Sequence, residues 1–195
     1  METEHSGERI RSLCFFYDSN VHSKTPEKFD TLLIECYRIA ERDHDRKFKD
    51  YLDFYKRIKG IMLITEDDPS AREAKMPKII TEALKYYQAR GDEYFITICN
   101  AYIGHFYFIL KEYDKSLENL LLADEGFRRV GYSKFPDIGK HLHSIALVFY
   151  FFRYYDKVAE LMEISTQLPP YYSNLHIQSY NTLGSAYLHL KQYDK

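Results

Sequence analysis

Eight histidines carry the most versatile side-chain chemistry in the sequence: His5, His22, His44, His105, His141, His143, His176 and His189. Metal ligation or acid–base work needs two or three such groups converging. The closest pair, His141-x-His143, fails that test on a helix, because residues two apart point about 200° away from each other. Cys14, Cys36 and Cys99 lie far apart without the paired spacing of a zinc or redox motif, so they read as small buried apolar residues. No HExxH, glycine-rich phosphate loop, nucleophile elbow or CxxC occurs. Carboxylates gather at Glu41, Asp43 and Asp45 and at Asp67-Asp68, in expected turns and helix starts where solvated capping is their expected work. The inventory predicts a segment with no catalytic residue, no metal and no cofactor.

Composition narrows the class further. The 195 residues carry 27 Lys+Arg against 29 Asp+Glu, a net charge of −2, which gives no global cationic field for nucleic acid or an anionic membrane. Short basic clusters, Lys56-Arg57-Lys59 and Arg128-Arg129, are flanked by acids and read as solvated helix faces. No block approaches the ~20 apolar residues needed to span a bilayer. The opening METEHSGERIRSL lacks the basic-then-apolar order of an intact secretory signal. Unusual is the ring content, 19 Tyr and 13 Phe without Trp, which points to large amphipathic fillers between helices rather than base-stacking platforms.

Helical periodicity dominates the chain, and one phrase recurs along it. Leu110-Lys111-Glu112-Tyr113-Asp114-Lys115 returns as Phe152-Arg153-Tyr154-Tyr155-Asp156-Lys157 and as Leu190-Lys191-Gln192-Tyr193-Asp194-Lys195. Tyr113 to Tyr155 is 42 residues and Tyr155 to Tyr193 is 38. Nine residues before each tyrosine stands a small residue (Gly104, Ala146, Gly184), and three residues after each of those an aromatic (Tyr107, Phe149, Tyr187). In a helix pair the small residue admits the second helix and the ring covers the same face one turn on. Tyr-Asp-Lys then falls at the tight turn, with Asp expected to cap the next helix. Ala123 marks the second helix, Gly60 and Ala83 mark a weaker earlier copy, and Gly91 and Gly131 stand where left-handed C-terminal caps are expected.

Leu183-Gly184-x-x-Tyr187 with Tyr193-Asp194-Lys195, and Ile103-Gly104-x-x-Tyr107 with Leu120 and Ala123, resemble the tetratricopeptide repeat in its longer, ~40-residue variety. The resemblance implies an all-α fold, a right-handed superhelical array of antiparallel helix pairs (an α-solenoid) with about eight helices. These are expected near 26–43, 45–65, 76–90, 93–110, 114–130, 136–153, 156–168 and 173–190. Residues 65–75 read as a polar loop or helical extension. The implied organisation is a partly ordered segment over 1–24, whose apolar patch runs from Leu13 to Tyr17, and an array over 25–195 truncated inside its last repeat.

The same resemblance places the first helix of each repeat on a concave face. Its lining positions are Ile98, Ala101, His105, Phe108 and Ile109, then Lys140, His143, Leu147, Tyr150 and Phe151, then Gln178, Asn181, Ser185, Leu188 and His189. The implied partner is a protein or peptide held in that groove; a two-carboxylate clamp is not supported. The implied function is a non-catalytic scaffold, the sensory or interaction region of a larger bacterial signal-transduction protein of the histidine-kinase or helix-turn-helix type. A free-standing adaptor for complex assembly is the alternative, and an enzyme with an unrecognised site a third reading. The compartment is either cytoplasmic or the extracytoplasmic side of a membrane-anchored sensor.

Overall fold

The computed structural model describes residues 6–13, 26–62, 69–168 and 173–192. It is all-helical, with no strand among the described residues. Helix α1 covers 6–13, followed by α2 (Pro26–Arg42), α3 (Arg46–Met62), α4 (Pro69–Ala89), α5 (Glu93–Ile109) and α6 (Tyr113–Val130). A 3₁₀ turn at Tyr132–Lys134 precedes α7 (Ile138–Phe151), α8 (Tyr155–Gln167) and α9 (Ser173–His189). The chain divides into two compact units, Met1–Ala83 and Leu84–Lys195, the boundary falling within α4.

In the first unit α2 packs on α3, whose Phe48, Tyr51, Leu52, Phe54, Tyr55 and Ile58 are all buried. The α2–α3 turn holds a polar knot. Asp45 caps α3 by accepting from the Phe48 backbone N–H at 3.0 Å, accepts from Ser6 Oγ at 2.7 Å, and pairs with Arg9 at 3.1 Å. Arg9 also bonds Asp43, whose carboxyl is held down at about 2, first by Arg42 and then by Arg9. The expected solvated caps are therefore wrong for Asp45: its side chain is 2% exposed, and it ties α1 to the turn. α1 itself buries Ile10 and Leu13. Asp67-Asp68 lie outside the described residues.

The sequence reading begins its third helix at 76; the structure begins the corresponding α4 at Pro69. Proline is pre-organised for a first helical turn, and interior Pro77 removes only one backbone donor. The Pro77 carbonyl still accepts from Thr81 Oγ1 at 2.6 Å.

The second unit is built around α5 against α6, α7 against α8, and α9 against both α7 and α8. Contacts between α5 and α6 run in opposite order along the two helices. Glu93 pairs with Arg129, Gly126 abuts Thr97, and Gly104 abuts Leu120 while its carbonyl accepts from Ser116 Oγ at 2.8 Å. A Cβ on Gly104 would stand 2.6 Å from Leu120 Cγ, so the close approach requires glycine there. Twelve and sixteen residues beyond Ala146, Val158 and Met162 are fully buried, repeating the relation of Ser116 and Leu120 to Gly104. Ala123 and Phe149 are buried in the same core, Ala83 lies buried in the first unit, and Tyr107, Tyr113, Tyr155 and Tyr187 are half-buried.

Five helix ends turn in one geometry. His44, Gly91, Lys111, Arg153 and Lys191 adopt φ between 52° and 64°. The following N–H of Asp45, Asp92, Glu112, Tyr154 and Gln192 reaches back to the carbonyl of Ala40, Tyr87, Tyr107, Phe149 and Tyr187 at 2.8–3.0 Å. This is the six-to-one bond of a Schellman motif, which satisfies carbonyls a helix end leaves open. Gly91 meets the expectation of a left-handed cap; Gly131 has positive φ but an extended ψ of 125°.

One expectation is corrected. In Tyr-Asp-Lys the aspartate is not the cap: Glu112 and Tyr154 occupy that position without a side-chain bond, and Asp114 and Asp156 sit inside the first turn. Carboxylates there still interact favourably with the helix dipole. Gly184 meets nothing within 4 Å among the described residues. The packing of Gly60 and all of Tyr193 lie outside the described residues.

Candidate functional site

Helices α5, α7 and α9 pack in succession, which brings the sequence-predicted groove positions onto one run of helices. Much of that run is consumed by packing. Phe108, Tyr113 and Phe151 form a three-ring cluster with centroids 5.1–5.8 Å apart. Tyr150, Tyr155 and His189 form its counterpart one repeat on, with Tyr155 and His189 stacked at 4.2 Å and Tyr150 Oη 2.9 Å from His189 Nε2. Such pairs contribute ~0.5–1.5 kcal/mol each beyond the area they bury. Phe108, Tyr150 and His189 thus form joints between successive helices.

The predicted cations are also engaged. Lys140 Nζ sits 5.5 Å over the Tyr102 ring. His143 is 9% exposed and lies 3.5 Å from Thr182 Oγ1 on α9, and burial lowers its pKa. His105 is pushed down to about 4, mainly by burial and then by the charges of Lys140 and His141, so it stays neutral at physiological pH. Ile98 and Ala101, placed in the groove by register, are instead 1% and 5% exposed core residues. Gln178, Asn181 and Ser185 are exposed on α9.

Beside these polar groups the run exposes large apolar side chains. Ile109 on α5, Leu147 and Phe151 on α7 and Leu188 on α9 are 38%, 48%, 54% and 66% exposed. Large aliphatic and aromatic groups thus reach solvent on three successive helices.

Sequence reasoning missed the polar joints. Tyr102 and Thr182 each stand two residues before a repeat glycine, and both meet the neighbouring repeat, a shared register that was the available signal. It also missed the buried pair of His141 with Asp137, 3.1 Å apart, which places His141 against Phe127 and Tyr102 while His143 faces Thr182. Arg128 pairs with Asp124 on its own helix at 3.1 Å and joins α6 to α8 through Glu160 at 2.8 Å, so it is not purely solvated.

The first unit holds a separate cleft of about 460 Å³ lined by Leu13, Leu32, Ile39, Phe48 and Cys36, with Glu8, Arg9 and Ser12 beside them. Burial, then Glu35, raises the Cys36 thiol, and burial pushes Cys99 up to about 12, so neither is an activated nucleophile. Among the described residues, no three His, Cys, Asp or Glu side chains converge to hold a metal, and no helix is long and apolar enough to cross a membrane.

In comparisons with protein-family models, curated proteins and solved structures, nothing matches this chain.

Proposed function

We propose that the second unit is a tetratricopeptide-like scaffold of antiparallel helix pairs, wound as a right-handed array, that binds a partner polypeptide across α5, α7 and α9. In this reading it is a non-catalytic interaction or sensory region, as the resemblance to bacterial signalling arrays implies. The observation that carries it is the recurrence of one three-ring joint between successive first helices, which fixes their spacing while Ile109, Leu147, Phe151 and Leu188 stay in solvent. Support also comes from the reversed order of α5–α6 contacts and from five turns of one kind.

The partner's chemistry follows from what remains available. Lys140, His143 and His189 already have partners, so charge recognition of a carboxylate is a poor match. Apolar side chains set between exposed Leu147 and Leu188 would bury area at positions whose removal does not disturb the core.

Leu147→Glu with Leu188→Glu is the direct test. Affinity capture with the unaltered chain should retain a partner that the double variant loses, at equal melting temperature. An identical set of captured proteins with both chains would sink the reading.

A further inference from the structure

The cleft of the first unit is built from three helices. On α2, Leu32, Cys36 and Ile39 stand four and then three residues apart, which puts them on one side of that helix. All three are half-buried, whereas Leu33 and Ala40 of the same helix are 6% and 2% exposed. Leu13 of α1 and Phe48 of α3, both buried, form the other two walls. The space between them, about 460 Å³, falls within the ~300–1,000 Å³ of small-molecule sites, and its lining is mostly aliphatic and aromatic, as in such sites.

The α1 wall is fixed in advance. The buried Asp45 carboxylate accepts from Ser6 Oγ at 2.7 Å, from Arg9 at 3.1 Å and from the Phe48 N–H at 3.0 Å, so a ligand does not have to order α1 first. The charges beside the cleft are met within the protein. Arg9 is committed to Asp43 and Asp45, and Cys36 is a neutral thiol because burial, then Glu35, raises its pKa. Glu8 and Ser12 stand exposed at the mouth. An entering carboxylate meets Glu8 and an Arg9 already paired. An ammonium loses hydration against Leu13, Leu32 and Phe48, with only the solvent-exposed Glu8 carboxylate among the lining groups. An uncharged chain avoids both costs, and a single hydroxyl on it finds matching polarity at Ser12.

We propose that the cleft between α1, α2 and α3 is a binding site for a small uncharged apolar molecule, of the class of a medium-chain aliphatic alcohol, with its hydroxyl at the Ser12 mouth. The ligand touches all three helices at once, so it stabilises the first unit by mass action. The site is independent of the partner surface proposed above, which belongs to the second unit.

The test uses the full chain with Cys14→Ser, which leaves Cys36 and the fully buried Cys99 as its thiols. The probes are 1-decanol, decanoate and decylammonium, one chain length with three charges, each titrated below its aggregation concentration. Two quantities are read: the melting temperature and the rate at which iodoacetamide alkylates Cys36, with the modified residue identified by mass spectrometry. Decanol should raise the first and slow the second saturably, at a concentration at least about tenfold lower than either ion requires, a factor of ten being ~1.4 kcal/mol. Leu32→Trp and Ser12→Trp each place an indole in the cleft, from α2 and from α1, and should abolish both effects of decanol. Ser12 is exposed, so that variant keeps the test decisive if Leu32→Trp fails to fold. The proposal is overturned if decanol has no saturable effect, if either ion matches it, or if its effects survive in every folded variant. Capture by the Leu147–Leu188 surface is read separately and does not depend on these outcomes.

Discussion

Tyr150 Oη lies 2.9 Å from His189 Nε2, and the His189 ring stacks on Tyr155 with its plane 5° from parallel. One repeat earlier, Phe108, Phe151 and Tyr113 take the same three places with no hydrogen bond between them. What recurs is the register rather than the chemistry: one ring ends a first helix, a second opens the next helix, and a third ends the following first helix. A joint of this kind can exchange phenyl for imidazole because offset and edge contacts tolerate either ring.

If the joint fixes the spacing of α5 and α7, Tyr113 and Phe151 must be energetically coupled. A double-mutant cycle with Tyr113→Ala and Phe151→Ala should return a coupling of about 0.5–1.5 kcal/mol in urea unfolding. Additive effects would remove the joint as a stabilising unit.

Three glycines should respond with different signs. Gly104→Ala and Gly126→Ala place a methyl 2.6 Å from Leu120 Cγ and 2.3 Å from Thr97 Oγ1, and each should cost about 1–3 kcal/mol through overpacking. Gly184→Ala has open space and an α-helical backbone, so it should add up to about 1 kcal/mol from helix propensity. Thermal melts of the three single variants decide the matter, and a common sign would contradict the packing described.

The left-handed turns give an independent handle. Lys111 holds φ 61°, a conformation that costs an ordinary residue about 1–2 kcal/mol and glycine little. Lys111→Gly should raise the urea midpoint, reflecting a stability gain of ~0.5–1 kcal/mol once the extra freedom of the unfolded glycine is subtracted. Lys111→Val should lower it, because a β-branched side chain is disfavoured there.

Stability should also fall in mild acid. His105 is about 4 in the folded chain and near 6.5 when unfolded, so both states are neutral above pH 6.5 and the native state keeps its full advantage there. As pH falls from about 6.5 to 4 the unfolded chain takes up a proton that the native chain refuses, a loss reaching at most ~3 kcal/mol. His143 is depressed in the same direction and adds to the trend. His105→Leu should flatten the decline between pH 7 and 4.5 in chemical denaturation. An equally steep decline would place the titrating group elsewhere.

Helix positions were legible because local rules set them. The small residue, the ring three later and the hydroxyl or aliphatic on the next helix are spaced by helix geometry, and Gly104 and Leu120 meet where that spacing puts them. The turns were legible as a phrase but not in their chemistry. Tyr-Asp-Lys drew attention to the aspartate, whereas the conformational work falls on the preceding Lys111 and Arg153, residues with no intrinsic preference for positive φ. The groove was less legible still. Its residues fall on α5, α7 and α9, but whether a ring is buried, stacked or exposed depends on the next helix, which no local pattern encodes.

By itself the sequence determined the helices, their order and the repeat register, since periodicity, caps and small-residue spacing act within a few residues of one another. Only the tertiary structure decided which register positions became joints and which stayed in solvent. Phe108 and Phe151 illustrate the division. Both are phenylalanines on successive first helices, both touch Tyr113, and they touch each other; yet Phe108 is half-buried and Phe151 is 54% exposed. The difference arises from neighbours about 40 residues away in sequence, where burial is set by packing between helices rather than by the preferences of either residue.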